Sequence, residues 1–316
     1  MLSDMSAHFS QNDVTGTVNL CDAGAVADAV CAVLARCYPD FDETPLRQGF
    51  ADIDDAFWGR YPGLLACDTP YHDLRHFLDT ALLMARMVHG FEITHAAHGA
   101  GLGAEQGSLA VLLALFHDIG FIRLESEAHI NGASLTHDHE RRSVDFMREY
   151  LARGPFAHRA GQSELIHATD FANPISQSLA GFPDNLVLIG KLLGTADLVS
   201  QISGRYYLEN CRDALFHEFV IAGTDRMVSP TGETLVLYPT ADDLLRKTPG
   251  FYKHLVKKRL DEDFDQVYRY VAAHFGGPDP YALGTQRNMS HLRQLIARND
   301  FSSLRRKPVP MLPVAH

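Results

Sequence analysis

Apolar residues recur at helical spacing along most of this chain, and the strict alternation of apolar and polar residues that marks strands is nearly absent. The clearest helix signal begins at Asp22, whose side chain can cap a helix that runs to residue 37 and is closed by Pro39. Further helices are predicted over residues 45–58, 70–89, 108–120, 138–152, 161–170, 184–202, 204–222, 249–275 and 280–298. The glycine- and histidine-rich residues 90–107 predict a loop, and residues 226–238 predict a small β-hairpin. The fold class is therefore predicted to be all-α.

The composition is that of a globular chain with one large core. Hydrophobic residues make up 46% of the 316 residues and charged residues 21%. A chain of this length can bury roughly three quarters of its unfolded surface, so it needs no disulfide bonds for stability. We predict a single helical bundle over residues 21–300, with a loose N-terminal arm over residues 1–20 and a proline-rich, unpacked tail over residues 301–316.

Charge and cysteine content narrow the classes of function. The 39 acidic residues outnumber the 28 basic ones, which gives a formal charge of -11 and argues against a nucleic-acid coat or a protein that binds anionic membranes. A small phosphorylated partner stays open, because a metal ion can supply local positive charge. Five cysteines without a Cys-x-x-Cys pair favour reduced thiols in a cytoplasmic protein. No signal peptide is recognisable, and no apolar run reaches the roughly 20 residues of a membrane span.

Three His-Asp dipeptides occur, and one of them stands out by its context. His117 and Asp118 follow the apolar run from Leu109 to Phe116, so two adjacent side chains that can ligate a metal come at the end of a buried helix. Burying an imidazole and a carboxylate without partners costs several kcal/mol. A metal ion would offset that cost; a hydrogen bond from the imidazole to a backbone carbonyl is the alternative.

Two other positions point to the same chemistry. His72 and His76 are four residues apart and would share one helix face, which turns apolar further along and should therefore point inward. Asp197 lies on the apolar stripe of another helix, and aspartate is almost never buried unpaired, so it is a candidate for a metal ligand or for a member of a salt bridge. The histidine pair can ligate one metal, or one imidazole can ligate while the other acts as an acid.

Together these positions would form a site of two imidazoles and two carboxylates: His76, His117, Asp118 and Asp197. Mixed nitrogen and oxygen ligands suit Zn, Mn, Fe, Co or Ni, and an adjacent oxygen-rich position could hold Mg or Mn. We expect one or two divalent metal ions, bridged by Asp118 in the second case. Two ions roughly 3.5–4 Å apart can activate a water for phosphoryl displacement. Gln201, one turn beyond Asp197, is expected to reach a phosphate or a base.

The ordered set of motifs resembles the HD superfamily of metal-dependent phosphohydrolases. Tyr71-His-Asp-Leu-Arg-His-Phe-Leu-Asp79 is similar to the YHNxxHAxD signature of the cyclic-nucleotide phosphodiesterases in that superfamily. Ile166-His-Ala-Thr-Asp170 resembles their LATD segment, and Ala196-Asp-Leu198 resembles their ADL segment. Asp138-His-Glu-Arg-Arg-Ser143 resembles the DNEERS stretch of bacterial HD phosphohydrolases. The similarity covers roughly residues 70–210.

The resemblance implies a role for each of these residues. The positions that correspond to metal ligands are His76, His117, Asp118 and Asp197. His72 corresponds to the general acid that protonates the leaving oxygen, and Glu140 would orient His72. Thr169 and Asp170 would line the substrate pocket. The chain departs from the phosphodiesterase signature in having aspartate at position 73 and phenylalanine at position 77.

The activity implied by the resemblance is hydrolysis of a phosphoester, in particular a nucleotide phosphodiester, by a metal-activated water. A nucleotide phosphomonoesterase is one alternative. A di-iron oxygenase of the same fold is another, and it requires two further histidine ligands, for which His137 and His139 are candidates. A metal-binding sensor without catalysis is the last alternative. The oligomeric state is left open.

Overall fold

The computed structural model describes residues 11–95, 99–229, 231–307 and 311. Within these residues the fold is all-α with one small antiparallel hairpin, which confirms the predicted fold class. The α-helices are α1 (Ala23–Ala35), α2 (Thr44–Phe57), α3 (Leu74–His95), α4 (Ala104–Phe116), α5 (His139–Ala152), α6 (Ile175–Ser178), α7 (Asp184–Ser203), α8 (Tyr207–Asn210), α9 (Phe216–Ala222), α10 (Ala241–Phe251), α11 (Arg269–Phe275) and α12 (Pro280–Arg298). The hairpin pairs β1 (Arg226–Val228) with β2 (Thr234–Val236).

Shorter helical turns connect these elements. The 3-10 helices are Ile119–Phe121, Glu125–Glu127, Gly132–Leu135 and Ala157–Thr169. Turns of π-helix occupy Cys211–Leu215, Tyr252–Val256 and Arg259–Asp263. The first of these π turns joins α8 to α9, so the helix predicted over residues 204–222 begins later, at Tyr207, and contains a π-bulge.

Helix α3 is the central element of the bundle. It packs against α1, α4, α7 and α11, and every residue from His76 to Glu92 is buried. A helix that is buried on all sides is expected to be apolar all round. The polar side chains that α3 does carry must therefore find partners inside the protein, and two such places, near His76 and near Arg86, matter below.

Helix α7 is the second helix of the core. By length and composition alone it could cross a membrane, but 78% of its most apolar window is buried inside the protein. It packs against α3, α12 and the long 3-10 helix Ala157–Thr169. This burial accounts for its apolar composition.

The described residues near both ends of the chain pack more closely than predicted, whereas residues 1–10, 308–310 and 312–316 of the predicted arm and tail lie outside the described residues. Residues 11–20 lie against α3, where the buried Asp13 forms an ion pair with Arg86 at 2.7 Å (Oδ2 to Nη1). Arg86 also donates a hydrogen bond to the hydroxyl of Tyr281 on α12 at 2.5 Å. At the other end Phe301 and Leu304 are buried, so the start of the predicted unpacked tail belongs to the core.

The observed helices differ from the predicted ones at three further places. The helix predicted over residues 249–275 starts earlier, because the Thr240 side chain caps α10 by accepting from the backbone N–H of Asp243 at 3.2 Å. The same region is interrupted where Asp265 and Gln266 adopt positive φ angles of 49° and 56°. Helix α3 runs on to His95, into the region predicted to be a loop.

Candidate metal centre

The first turn of α3 sets the position of His76. The Asp73 carboxylate accepts hydrogen bonds from the backbone N–H groups of Arg75 and His76 at 3.0 and 3.3 Å, and so caps the helix. Helix α3 therefore begins at Leu74 rather than at Pro70. His72 lies outside the helix, which corrects the prediction that His72 and His76 share one helix face, although their ring centroids are still only 5.6 Å apart.

His117 and Asp118 lie at the end of α4, as predicted, and both are buried. The His117 Nδ1 atom is 2.8 Å from the carbonyl oxygen of Ala114. Because a carbonyl oxygen can only accept, Nδ1 carries a proton. In the neutral ring the lone pair is therefore on Nε2, the atom that faces Asp118, and this is the tautomer that a metal requires.

Three donor atoms from two helix ends converge on one point. The Asp118 Oδ2 atom is 3.0 Å from His76 Nε2 and 3.1 Å from His117 Nε2. The two imidazole nitrogens are 3.2 Å apart. His76, His117 and Asp118 thus form a buried group that could hold a metal ion.

Asp197 approaches the same point from α7. Its Oδ1 atom is 3.3 Å from His76 Nε2 and 3.5 Å from His117 Nε2. The Gln201 amide donates to this Oδ1 atom at 2.6 Å, and its own oxygen accepts from the Tyr71 hydroxyl at 2.7 Å. Gln201 was expected to reach a phosphate or a base; in the structure its amide is bonded to Asp197 and Tyr71.

The spacing of these donor atoms fits a divalent metal ion. Ligand atoms about 2.1 Å from an ion are separated by about 3.0 Å in octahedral and about 3.4 Å in tetrahedral geometry. The five distances that join an imidazole Nε2 atom to the other imidazole or to a carboxylate oxygen run from 3.0 to 3.5 Å. Two imidazole nitrogens and two carboxylate oxygens that face one another need either protons or a cation between them, since their lone pairs repel.

The charges of the cluster lead to the same conclusion. Burial alone would raise the pKa of Asp118, but the His117 and His76 imidazoles hold it well below its usual range. Burial alone would lower the pKa of His117, yet the Asp118 and Asp197 carboxylates raise it well above the usual value. The two carboxylates therefore stabilise positive charge at the centre of the cluster, whether protons or a metal ion supply it.

His72 faces this cluster without belonging to it. Its Nε2 atom is 3.9 Å from Asp118 Oδ2, and its ring stacks on Phe121 with the centroids 4.3 Å apart. Its Nδ1 atom is hydrogen-bonded to the buried carboxylate of Glu218 on α9. Burial alone would lower the pKa of His72, but Glu218 raises it to about 9. His72 can therefore hold a proton on Nε2 at neutral pH.

Glu140 was predicted to orient His72. The structure shows instead that the carboxylate bonded to His72 is that of Glu218. Glu140 lies beside His139 instead, with Oε2 3.1 Å from Nδ1, and burial raises the pKa of Glu140 to about 7. Glu218 also accepts from the backbone N–H of Tyr71 at 3.0 Å. Its sequence signal was a single carboxylate among the apolar residues of α9, which is the same signal that singled out Asp197.

The second oxygen of Asp118 faces a further histidine. Its Oδ1 atom is 3.5 Å from His139 Nε2, and His139 Nδ1 is 2.6 Å from the carbonyl oxygen of Thr136. As in His117, this carbonyl leaves Nε2 as the free lone pair, and burial lowers the pKa of His139 so that the ring is neutral. His139 is therefore placed beside the position that a second cation bridged by Asp118 would occupy.

The cluster opens into a cavity of about 690 Å³. His137, Thr169, Asp170 and Gln201 all line it, together with His72 and Glu140. The Thr169 hydroxyl donates to the carbonyl oxygen of Ile166 at 2.9 Å. The Asp170 carboxylate accepts from the backbone of Ala172 at 2.6 Å. A role for Thr169 and Asp170 in binding substrate stays a prediction.

A scan against protein-family models and a search of curated proteins both give no match to this chain.

Proposed function

We propose that this protein is a metal-dependent phosphohydrolase of the HD type, which hydrolyses a phosphoester with a metal-activated water. The observation that carries the proposal is the relation of His72 to the buried His and Asp cluster. An imidazole that holds a proton, oriented by a buried carboxylate, faces the cluster from 3.9 Å across the wall of an open cavity. A general acid next to a cation site is what phosphoester hydrolysis requires.

The residues that would hold a divalent ion are His76, His117, Asp118 and Asp197. When bound, the ion supplies Lewis acidity toward phosphate oxygens and toward water. The carbonyl of Ala114 fixes the tautomer of His117, and the Gln201 amide fixes the carboxylate of Asp197. These contacts are expected to set metal affinity, because partners of this kind typically change it 10–100-fold.

Protonation of the leaving oxygen is the step that a side chain of the protein itself would perform. His72 holds a proton at Nε2, and Glu218 fixes the ring through Nδ1. Transfer of the Nε2 proton to the departing oxygen of the ester leaves a neutral imidazole, whose tautomer the same carboxylate stabilises. The stacked ring of Phe121 excludes water from one face of His72.

An HD-type di-iron oxygenase is the second candidate, and His139 is the observation that favours it. Its neutral Nε2 atom faces the free oxygen of Asp118, and His137 lines the same cavity. A second ion held by Asp118 and His139 would gain one nitrogen ligand, and His137 could supply the other one that an oxygenase needs. The metal that copurifies with the protein distinguishes the two functions.

Metal content and turnover of Asp118→Ala test the proposal. The intact chain, purified without chelators and assayed with Mn²⁺, is expected to cleave members of a panel that contains cyclic mononucleotides, nucleoside monophosphates and bis-p-nitrophenyl phosphate. Asp118→Ala should lose both metal and activity, since its carboxylate contacts both imidazoles. Asp145→Ala, an exposed aspartate on α5, serves as the matched control and should keep both. Two irons per chain without phosphoester turnover would instead support the oxygenase.

A further inference from the structure

The cavity beside the metal cluster has two chemically different ends. The polar end holds the cluster, His72 and His139. The other end is bounded by α9, α10 and the residues after the long 3-10 helix, and its wall is mostly aromatic and aliphatic. Six of the side chains there are Phe171, Leu215, Phe219, Tyr238, Leu244 and Phe251. A ligand that fills the cavity must therefore present a charged group at one end and an apolar group at the other.

Three polar side chains at the apolar end are bonded to backbone carbonyls, which leaves the Tyr238 hydroxyl and the remaining hydrogens of the Lys247 ammonium as free donors among them. The Thr248 hydroxyl donates to Leu244 O at 2.9 Å, and the Thr224 hydroxyl donates to Phe219 O at 3.4 Å. The Lys247 ammonium donates to Leu237 O at 2.6 Å. A heterocyclic base placed here would lose water from its ring nitrogens and carbonyls with few donors to replace it, and that loss is costly.

Two phenylalanines lie at the mouth of this end with much of their surface in water. Phe171 and Phe251 are 37% and 42% exposed, and their ring centroids are 5.9 Å apart. Arg259, whose guanidinium donates to the carbonyl of Ala168 at 3.1 Å, lies over the Phe171 ring and holds it at the cavity. Covering both rings with an apolar group would remove that surface from water.

We propose that the substrate is a phosphoester whose organic group is large and apolar, with the phosphate at the metal cluster and the apolar group against Phe171 and Phe251. This inference rests on the proposed function and replaces the nucleoside, which the sequence resemblance implied, by an aliphatic or aryl group. The volume of about 690 Å³ is within the usual range for pockets that take a drug-sized molecule.

A series of p-nitrophenyl alkyl phosphodiesters tests the substrate class. The leaving group stays the same while the second ester group lengthens from methyl to butyl to octyl, and thymidine 5′-p-nitrophenyl phosphate represents a nucleoside. With Mn²⁺, kcat/KM is expected to rise about two- to fourfold for each added methylene until the apolar end is full. The octyl ester should exceed the thymidine ester at least tenfold. Equal rates along the series, or the thymidine ester as the best substrate, would overturn the inference while leaving the proposed function intact.

Two variants at the mouth link the chain-length effect to the cavity. Phe171→Ser and Phe251→Ser should each lower the octyl-to-methyl ratio of kcat/KM by about threefold to tenfold. Both side chains are partly exposed, so folding should persist. Leu283→Ser, on α12 outside the cavity and 41% exposed, is the matched control and should leave the ratio unchanged. If the ratio fell equally in all three variants, the chain-length effect would not come from the two phenylalanines, and the proposed position of the apolar group would be wrong.

A binding measurement keeps the inference testable if no ester is cleaved. In that event the proposed function fails. Calorimetry with octylphosphonate and methylphosphonate in the presence of Mn²⁺ still measures whether the cavity binds an apolar group. Octylphosphonate is expected to bind at least tenfold more tightly to the intact chain, and Phe251→Ser should reduce the difference. Equal affinities for the two phosphonates would overturn the apolar-group assignment.

Discussion

At the scale of single residues, His72 and His76 are neighbours in sequence with different tasks. His76 contacts both carboxylates of the cluster, whereas His72 faces Asp118 from 3.9 Å and is bonded to Glu218. Removing the His76 side chain should abolish the metal site, whereas removing the His72 side chain should leave it intact. This difference can be measured without knowledge of the natural substrate.

We expect His72→Ala to keep near-normal metal content and to lose about 10²–10⁴-fold in turnover of esters with poor leaving groups. Nitrophenyl esters should be affected much less, because nitrophenolate departs without a proton. Glu218→Gln should show the same selectivity with a smaller loss, of about 10–100-fold. His76→Ala should lose metal and fail with both kinds of ester.

Metal stoichiometry and the two rates, measured on each variant, check this prediction. Glu233→Gln, an exposed glutamate near β2, is the control for Glu218→Gln. Metal loss in His72→Ala would show that His72 is a ligand. Equal losses on both esters would remove its role as an acid.

Asp79 is a buried carboxylate on α3 that lies outside the cluster and is poorly paired. Its Oδ1 atom makes no hydrogen bond to the described protein atoms. Burial, together with the nearby Asp13, raises its pKa from 3.8 to about 7. Between these two values the folded protein keeps a proton that the unfolded chain has released, so this group makes stability fall as pH rises. Above about pH 7 the penalty is constant.

Asp79→Asn is therefore expected to stabilise the protein by about 1–3 kcal/mol at pH 8 and by almost nothing near pH 4. Urea unfolding midpoints at the two pH values, with saturating Mn²⁺, measure the difference. The exposed Asp145→Asn variant should show no such trend. A destabilised Asp79→Asn at pH 8 would mean that the native carboxylate is charged and paired.

The residues of the cluster were largely predictable from sequence, and their partners were not. Asp118 and Asp197 stood out because a carboxylate on an apolar helix stripe needs a partner. Glu218 obeys the same rule but lies 146 residues from His72 in the chain, and no local pattern joins the two. The role of Glu140 was carried over from the family resemblance and was wrong, because Glu140 lies beside His139 and Glu218 bonds His72.

At the scale of helices, glycine in the middle of α3 has a packing role. A methyl group built on Gly90 would lie 1.8 Å from the backbone oxygen of Tyr270 on α11, so the two helices touch backbone to backbone there. The sequence predicted a loop from residue 90 because glycine is a poor helix former. Tertiary packing outweighs that preference, and α3 continues for five more residues.

Gly90→Ala is expected to lower the free energy of unfolding by at least about 1–3 kcal/mol, because one of the two helices must move. Gly250→Ala, in α10 where a methyl group would meet nothing within 4 Å, is the matched control. Its higher helix propensity should leave stability unchanged or raise it by about 1 kcal/mol. Chemical denaturation of both variants gives the comparison. Similar free energies of unfolding for Gly90→Ala and Gly250→Ala would show that α3 and α11 do not approach as closely as described.

Some helix ends are set by residues beside them in sequence, and others have no local sequence signal. Asp22 caps α1 as predicted, since its side chain accepts from the backbone of Ala25 at 3.0 Å. The start of α3 was misplaced because Pro70 was taken as the first residue, although Asp73 was a cap visible in the sequence. The interruption of the helix predicted over residues 249–275 had no such signal, because Asp265 and Gln266 are ordinary helix residues in left-handed conformations.

At the scale of the whole molecule, one buried ion pair joins distant parts of the chain. Asp13 near the N-terminus, Arg86 on α3 and Tyr281 on α12 meet in the interior. This contact was not predicted, because residues 1–20 were expected to form a loose arm. A charge buried with a single carboxylate partner depends strongly on that partner.

Asp13→Ala should therefore lower the free energy of unfolding by about 3–5 kcal/mol, since Arg86 is left buried without its carboxylate. Asp13→Ala combined with Arg86→Met should recover part of the loss. The midpoint of thermal unfolding for the two variants and the intact chain measures both effects. A double variant that is less stable than the single one would show that Arg86 is held mainly by Tyr281.

The hairpin of β1 and β2 has a consequence for how the protein behaves in concentrated solution. Met227, Val228, Leu235 and Val236 are 47–67% exposed, and each strand has an outer edge whose backbone groups can pair with another chain. At neutral pH the formal charge of -11 keeps molecules apart. Near the isoelectric point that repulsion vanishes, and the exposed apolar side chains and strand edges of the hairpin favour association between molecules. Colloidal stability should therefore depend on keeping the buffer well on the alkaline side of the isoelectric point.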